Sequence, residues 1–400
     1  MQIKAHAYSG HLAAPASKSY GQRLLVLTAL SGQTCQIDKL GKDRDTQAMK
    51  NALAVLCNKE NINHSPLVDV GESGFALRTL AFVARYFSAS YQLTGRGTLM
   101  QRTHFATIDL LEQLGLTVAH HDGKLPLQIS GAIARTILEV DGTEGSQYVS
   151  GLFLLAAKYP GNWQITIKNL NSRPYFEMTL AALSQFGFVY QQNGETYSFE
   201  GAQQLSCASM QVEGDWSGVA AHLVGAAIRG KIKVSGLNRL SLQPDQNLLK
   251  VLARFGAKSE WINGKLMILE SQDKNPFDFD CTQQPDLFPV LAVLACAAKG
   301  KSTLSGIHRL KNKESDRLKA MCAALEMWGI GYQIQEDKIE IQGTGQIKSV
   351  KINTYNDHRI VMASCVASLL CTEGQELEDA SAIEKSYPGF IEDFLRLTQA

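Results

Sequence analysis

The residues of this chain that are best suited to chemistry are lysines and arginines beside the starts of apolar segments. In PASKSYGQRLLVLTAL, Ser17 or Ser19 can cap the helix that the apolar run predicts, so Lys18 lies at its electropositive end. Arg23 follows about one turn later. Free backbone N–H groups and cations at a helix start favour a bound anion. The alternative is a capped surface helix with two solvated cations.

Four later segments in the N-terminal half offer further groups that can bind anions. These groups are Gly74, Arg78, Arg102, Ser146, Gln147, Ser172 and Tyr175. Arginine suits phosphate and carboxylate, glycine lets the backbone approach a ligand, and hydroxyl and amide groups suit phosphate or hydroxyl contacts. Helix capping explains Ser146 and Ser172 equally well, and a loop arginine such as Arg102 is ordinary on a surface.

The C-terminal half adds carboxylates to the cations. In LKNKESDRLKAMCAAL, Lys313 and Arg317 are four residues apart and would share one face of a helix, with Glu314 beside them. Asp286 directly precedes a strongly apolar run. Lysines and carboxylates that face one pocket can transfer protons. A solvated charged face and a helix N-cap are the alternatives.

Two more cations lie near the C-terminus. In NTYNDHRIVMASCVASLL, Asn356 or Asp357 would cap an apolar helix, and Arg359 lies in its first turn. A cation there opposes the helix dipole unless an anionic ligand lies between them. Lys385, in EKSYPGF, is the second, although a lone lysine is usually exposed to solvent. Structural roles are expected for the nearby histidines, which are His222 and His358.

Composition limits the class of protein. A chain of 400 residues predicts two domains, and 45% hydrophobic with 19% charged residues is typical of a globular protein. Lysine plus arginine (39) nearly equals aspartate plus glutamate (38), which argues against a general nucleic-acid binder. The N-terminus has no apolar core long enough for a signal peptide, and the apolar run at 289–298 is too short for a membrane span.

The cysteines and histidines predict neither disulfides nor a metal site. The eight cysteines are scattered, without a CxxC pair, and are expected to be reduced, mostly buried thiols in the cytoplasm. The nine histidines show no HExxH-like spacing. No metal and no cofactor are therefore expected.

A repeat of about 70 residues must position these groups. Each copy has an apolar helix, a glycine that would form a left-handed C-cap, and two strands around a polar turn. The glycines are Gly115, Gly187, Gly256 and Gly329. Asp122-Gly123, Asn193-Gly194 and Asn263-Gly264 predict type I′ hairpin turns.

About six repeats fit the chain, in two groups of three, although two unrelated α+β domains with common hairpins are the alternative. Turn residues at 14–17 and 213–215 suggest two hinges. The predicted domains are 15–213, and 1–14 together with 214–400.

Taken in order, the segments SKS…R, DVGESG…R, GSQ, SRPY, VEGDWS, PD, KESDRL and NDHR resemble the 5-enolpyruvylshikimate-3-phosphate synthase family. The likeness runs from SKSYGQR to KSYPGF, which is essentially the whole chain. The resemblance implies an α/β (α+β) fold of two domains, each with three βαβαββ-type units around a pseudo-threefold axis, that close around the substrates.

The implied activity transfers the enolpyruvyl group of phosphoenolpyruvate to the 5-hydroxyl of shikimate 3-phosphate and releases phosphate. This reaction belongs to the shikimate pathway, which leads to chorismate and the aromatic amino acids. The implied partners are small-molecule substrates only, with no nucleic acid and no membrane, and the expected state is a cytoplasmic monomer.

The resemblance also implies roles for individual residues. The proposed acid–base groups are Lys18, Asp286, Lys313 and Glu314. Shikimate 3-phosphate would contact Lys18, Ser19, Arg23, Ser146, Gln147, Ser172, Tyr175, Asp286 and Lys313. Phosphoenolpyruvate would contact Lys18, Gly74, Arg102, Gln147, Arg317, Arg359 and Lys385.

The chain departs from the common family pattern at several positions, which are Glu72, Phe75, Thr103, Gly145 and Arg309. Gly145 removes a hydroxyl, and Phe75 is expected to narrow the phosphoenolpyruvate pocket. Three alternatives stay open: the related transferase that acts on UDP-N-acetylglucosamine, RNA 3′-phosphate cyclase, and a non-catalytic anion-binding protein.

Overall fold

The computed structural model describes residues 1–58 and 65–398. Two compact units are present, one continuous in sequence (Lys18–Val212, the continuous unit) and one assembled from Met1–Ser17 and Glu213–Ala400 (the split unit). The chain therefore crosses between units twice. The functional domains predicted from the sequence, 15–213 and 1–14 with 214–400, stay a prediction.

Both units contain the same kinds of elements, numbered in chain order. The helices are α1 (Lys18–Ser31), α2 (Arg44–Cys57), α3 (Gly74–Phe87), α4 (Phe105–Gln113), α5 (Ser146–Ala156), α6 (Arg173–Gln185), α7 (Trp216–Ile228), α8 (Leu248–Phe255), α9 (Phe288–Ala297), α10 (Arg317–Trp328), α11 (His358–Ala367) and α12 (Phe390–Thr398). The strands are β1 (Gln2–Ile3), β2 (His11–Ala13), β3 (Gln36–Asp38), β4 (Leu67–Asp69), β5 (Ser90–Thr94), β6 (Thr117–His121), β7 (Lys124–Ser130), β8 (Ile137–Asp141), β9 (Asn162–Lys168), β10 (Gln191–Asn193), β11 (Thr196–Glu200), β12 (Ser209–Gln211), β13 (Lys231–Ser235), β14 (Lys258–Ile262), β15 (Lys265–Leu269), β16 (Asp278–Asp280), β17 (Gly300–Ser305), β18 (Tyr332–Gln335), β19 (Lys338–Gly343), β20 (Lys351–Ile352) and β21 (Gln375–Leu377).

Four sheets repeat one topology. Each has two parallel strands followed by an antiparallel hairpin, in the orders β4-β5-β7-β6, β8-β9-β11-β10, β2-β13-β15-β14 and β16-β17-β19-β18. With the connecting helices, β4-α3-β5-α4-β6-β7 is a βαβαββ repeat. Two smaller sheets, β12-β3 and β1-β21-β20, complete three sheets per unit. The repeat inferred from the glycine spacing is thus visible as strand order.

The core of each unit is built on its most apolar helices. Every residue of α7, α9 and α11 is buried, and these three helices pack against one another. A helix that is apolar all round must be covered on all sides. In the continuous unit α3 packs on α5. The helices approach so closely at Gly151 that a Cβ there would lie only 2.6 Å from the carbonyl oxygen of Arg78. We call α1, α3, α5, α7, α9 and α11 the inner helices.

The predicted C-cap glycines are confirmed, since all four have positive φ, from +77° to +98°. One turn prediction is wrong. Asn193 pairs with Thr196, so the turn residues are Gly194 and Glu195 rather than Asn193 and Gly194. Within the described residues, no helix is both long and apolar enough to cross a membrane.

Candidate active site

Within the split unit, three predicted or neighbouring site residues lie at the starts of inner helices. In the split unit, Arg359 of α11 donates through Nη1 and Nη2 to the carbonyl and hydroxyl oxygens of Ser217 in α7, at 2.7 and 2.6 Å. Nη2 of Arg359 also lies 3.6 Å from Asp286, which precedes α9. Three helix starts therefore meet at one place, where their dipoles favour anions.

The continuous unit carries a group that we call the cationic half-site. Its members are Lys18, Ser19, Arg23, Gly74, Arg78, Arg102, Ser146, Gln147, Ser172 and Tyr175. Arg23 is its most buried cation, with 1% of its surface exposed. Its guanidinium donates to the hydroxyl of Thr179 at 2.7 Å and to the carbonyls of Ser19 at 2.7 Å and Tyr175 at 2.8 Å.

All of these acceptors are neutral, and the Arg23 guanidinium also lies 4.5 Å from the centre of the Phe75 ring. Burial lowers the pKa of Arg23 to about 9, and Tyr175 opposes this only in part. A bound carboxylate would supply the missing counter-charge. Phe75 therefore supports Arg23 by a cation–π contact. Its expected narrowing of a phosphoenolpyruvate pocket stays a prediction.

Lys18 has a partner that the sequence did not reveal. It is the first residue of α1, and its Nζ lies 2.8 Å from Oδ2 of Asp45, a residue in the first turn of α2. The two side chains are 17% and 10% exposed. A ligand bound by Lys18 must therefore share this ammonium with Asp45.

Two arginines flank the start of α3. A Cβ at Gly74 would lie 2.9 Å from Nη1 of Arg78 and 3.6 Å from Nη1 of Arg102, so a side chain here would crowd both guanidiniums. The hydroxyl of Ser73 caps the helix by accepting from the amide of Ala76 at 3.2 Å. The arrangement leaves backbone and cations together at one helix start.

Arg78 is a candidate anion-binding group but is not among the substrate contacts that the family resemblance implies, and it orients one of those contacts. Its Nη1 donates to Oε1 of Gln147 at 2.9 Å and to the carbonyl of Gly74 at 3.4 Å. With its oxygen occupied, Gln147 presents its amide nitrogen as a donor. His104 lies nearby, and burial together with Arg78 and Arg102 lowers its pKa to about 4, so it stays neutral beside them.

The two serines do not act as helix caps. Ser146 is the first residue of α5 and is buried, whereas the cap position is Gly145. Ser172 occupies the cap position of α6, but its side chain makes no capping hydrogen bond and its φ is +55°. Strained backbone of this kind is often retained at ligand sites. The capping alternative is therefore wrong for both serines.

Gly145 has a backbone reason to be glycine. Its φ of +121° and ψ of −177° lie in a region that is essentially restricted to glycine. A serine would be strained in this conformation, so glycine suits the local backbone path.

The split unit carries a second group, the carboxylate half-site, which consists of Asp286, Lys313, Glu314, Arg317, Asp357, Arg359 and Lys385. Arg317 lies at its centre with 1% exposure. Its Nε donates to Asp357 at 2.9 Å, its Nη1 to Asp286 at 2.7 Å and its Nη2 to Glu314 at 2.7 Å. One guanidinium thus holds three carboxylates, and two of them are proposed acid–base groups.

Asp357 is the member of this half-site for which the sequence predicted only a helix cap and no functional role. It is fully buried and also caps α11 by accepting from the amide of Arg359 at 2.9 Å. The prediction that Lys313 and Arg317 share a helix face is wrong, because α10 begins at Arg317 and Asp316 caps it. Lys313 and Glu314 lie in the preceding loop, where no helix dictates their side-chain directions.

The charges of this half-site set the protonation of its members. Burial alone would raise the pKa of Asp286, but Arg317, Lys313 and Arg359 together outweigh burial and hold it well below its usual range. Burial lowers the pKa of Lys313 to about 8, although Asp286, 3.9 Å away, opposes the shift. Asp286 is therefore ionised at neutral pH, and Lys313 loses its proton more readily than a free lysine.

Lys385 is buried rather than exposed to solvent. With 4% exposure, its Nζ donates to the carbonyl of Asn356 at 3.1 Å, just before α11. His222 has the expected structural role, since its Nδ1 lies 3.2 Å from the hydroxyl of Tyr8 inside an aromatic cluster. His358 is buried at the start of α11.

The sequence profile of EPSP synthase (3-phosphoshikimate 1-carboxyvinyltransferase) matches residues 3–394. The chain belongs to this family. A curated 3-phosphoshikimate 1-carboxyvinyltransferase from Thermococcus kodakarensis is 34% identical, with 98% of each chain covered. The enzyme of that name from Aeropyrum pernix is 33% identical, with 97% of this chain and 93% of the relative covered. The family and the enzyme class predicted from the sequence are confirmed.

Solved structures show the same fold. EPSP synthase from Acinetobacter baumannii has a TM-score of 0.78 at 22% identity, with 99% of this chain and 97% of that chain covered. The enolpyruvyl transferase NikO from Streptomyces tendae has a TM-score of 0.77 at 13% identity, with 99% and 96% covered. The predicted enolpyruvyl transferase fold of βαβαββ-type repeats is confirmed.

Proposed function

We propose that this member of the EPSP synthase family uses both half-sites to transfer the enolpyruvyl group of phosphoenolpyruvate to the 5-hydroxyl of shikimate 3-phosphate. Family membership supports the reaction, a step toward chorismate and the aromatic amino acids. The observation that carries the residue assignment is the Arg317 centre, where one cation holds Asp286 and Glu314. Lys313 lies close enough to pair with Asp286.

The cationic half-site supplies recognition of the anionic groups. Arg23 and Ser19 bind the shikimate carboxylate, since the buried guanidinium has only neutral acceptors. Ser146 and Ser172 hold the phosphate of shikimate 3-phosphate, and Gln147 and Tyr175 contact its ring region. Arg102, Lys18 and the backbone of Gly74 bind phosphoenolpyruvate, with Gln147 as a further contact.

The carboxylate half-site, together with Lys18, supplies the proton chemistry. The acceptor hydroxyl must lose its proton as it adds to the double bond, while the methylene carbon gains one. Phosphate then leaves. Asp286, ionised beside Arg317, accepts the hydrogen bond of the hydroxyl, and Lys313, whose pKa burial lowers to about 8, assists in the proton transfer. Glu314 and Lys18 serve the methylene carbon.

Arg317, Arg359 and Lys385 complete the binding of phosphoenolpyruvate in this proposal. Arg359 already donates to Ser217 and Lys385 to Asn356, so both cations are held in position before a ligand arrives. Such preorganisation lowers the cost of orienting substrates. We further propose a monomeric, cytoplasmic enzyme that uses no metal ion and no cofactor.

The decisive experiment measures phosphate release from phosphoenolpyruvate by the purified chain. Release should require shikimate 3-phosphate and should not occur with UDP-N-acetylglucosamine as the acceptor. Binding of both substrates without any release would instead favour the non-catalytic anion-binding protein.

A further inference from the structure

Two cysteines that lie far apart in sequence are in contact in the continuous unit. The Sγ atoms of Cys35 and Cys207 are 2.7 Å apart and separated by 172 positions along the chain. Cys35 is buried, and Cys207 is half-buried. Among the described residues, no other cysteine pair has a recorded contact.

The backbone around the two thiols holds them together. Cys35 precedes β3 and Cys207 precedes β12, and these strands are parallel partners with Gln36 opposite Ser209. The amide of Gln36 donates to the carbonyl of Ala208 at 3.1 Å. Because paired strands position both cysteines, the contact does not depend on a flexible loop.

We propose that Cys35 and Cys207 form a reversible intramolecular disulfide when the surrounding thiol pool becomes oxidised. The Sγ–Sγ separation must shorten only to the covalent length of about 2.05 Å. Neither cysteine belongs to the candidate active site, so the disulfide is independent of the proposed function.

The exchange balances with oxidised glutathione as the oxidant. The more accessible Cys207 loses its proton to solvent and attacks a glutathione sulfur, which expels one glutathione thiolate. Cys35, likewise deprotonated, then attacks the Cys207 sulfur and expels the second thiolate. Both released protons end on the two glutathione thiols. Burial and the hydrogen bond with Cys35 raise the pKa of Cys207 to about 11, so the first step should accelerate about tenfold per pH unit between pH 7 and 9.

The disulfide would restrain the continuous unit near helix α1. A Cβ at Gly21 of α1 would lie 3.1 Å from Leu40, which follows β3, and 3.8 Å from Val212, which follows β12. Closing so long a loop removes conformational entropy from the unfolded chain. The midpoint of thermal unfolding should rise by about 5–10 °C.

The test incubates the full chain with oxidised glutathione or with dithiothreitol at pH 8. Oxidation should remove two of the eight titratable thiols, lower the mass by two hydrogen atoms, and yield a cross-linked peptide pair containing Cys35 and Cys207. Cys207→Ser and Cys35→Ser should each abolish the cross-link, whereas Cys57→Ser, at an exposed cysteine, should leave it unchanged.

Three outcomes would overturn the proposal. Eight thiols could remain after oxidation, glutathione could stay attached to Cys57 without a cross-link, or the cross-link could join another cysteine pair. Because the chemical readouts require no unfolding measurement, a variant with altered stability does not obscure them.

Discussion

The two half-sites differ in how their buried charge is compensated. In the continuous unit, Arg23 is buried among neutral oxygens and an aromatic ring. In the split unit, Arg317 is equally buried but is held by three carboxylates. The first arrangement lacks a negative charge that a ligand can supply, and the second is charge-compensated before any ligand binds. Substitutions in the two regions should therefore affect different measurements.

The largest effect should come from removing a carboxylate that handles protons. Asp286→Asn and Glu314→Gln keep shape and an acceptor oxygen for Arg317, but each loses its negative charge. We expect kcat to fall by about 10²–10⁴, with much smaller changes in substrate binding. Initial rates of phosphate release and calorimetric titration with shikimate 3-phosphate separate the two quantities. Near-normal turnover in both purified variants would refute the assignment.

The charge compensation of Arg317 can be broken without touching a proposed acid–base group. Asp357→Ala removes a fully buried carboxylate and the cap of α11, so the free energy of unfolding should fall by about 3–5 kcal/mol. Urea denaturation measures this. The matched control is Asp316→Ala, which removes the exposed cap of α10 and should cost only about 1 kcal/mol. Equal losses in both variants would show that capping, not charge, explains Asp357.

In the cationic half-site, the corresponding test removes a positioning residue. Arg78→Met frees the oxygen of Gln147, and kcat/KM for phosphoenolpyruvate should fall by about 10–150-fold, mainly through KM. Arg78→Lys should restore part of the loss. Arg85→Met, on the same helix but bonded to the carbonyl of Gly131, serves as the control and should change neither constant.

A double-variant measurement decides whether Arg78 acts through Gln147. In a Gln147→Ala background, the effect of Arg78→Met should shrink, because the partner of Arg78 is already gone. Fully additive losses would instead assign Arg78 a separate role.

The smallest effect concerns pH. Because burial lowers the pKa of Lys313 to about 8, its ammonium form is lost as pH rises through that value. If the ammonium assists the acceptor hydroxyl, kcat/KM should fall about tenfold per pH unit above pH 8. Lys313→Arg, which stays charged, should remove this alkaline limb. A limb that persists unchanged in that variant would exclude Lys313 as its source.

Much of the fold could be predicted from the sequence, because the sequence signals for helix ends and turns are local. Glycines after helices and Asp-Gly or Asn-Gly turns depend on backbone conformation at one or two residues, so Gly256, Gly329 and Asn263-Gly264 were predicted correctly. The turn at Asn193 failed because register, set by pairing with Thr196, moved it by one residue.

The ion-pair partners in the candidate site were harder to predict, because tertiary packing brings them together. Neither the Lys18–Asp45 pair nor the role of Asp357 has a spacing signal, since the partners come from different elements. The helix expected at Lys313 was wrong because the cap Asp316 starts α10 later than the charge pattern suggested. Asp316 could have corrected this prediction, because aspartate is a preferred N-cap residue and its side chain accepts from the amide of Lys319.

The insertion of the continuous unit between β2 and α7 has a consequence for biogenesis. His11 of β2 pairs with Lys233 of β13, so β2 has no partner until the ribosome has made the whole intervening unit and β13. During synthesis the continuous unit can fold first, while β2 stays unpaired. Folding of the split unit should therefore be the later stage, and a translation pause after residue 212 would give the continuous unit time to fold before it.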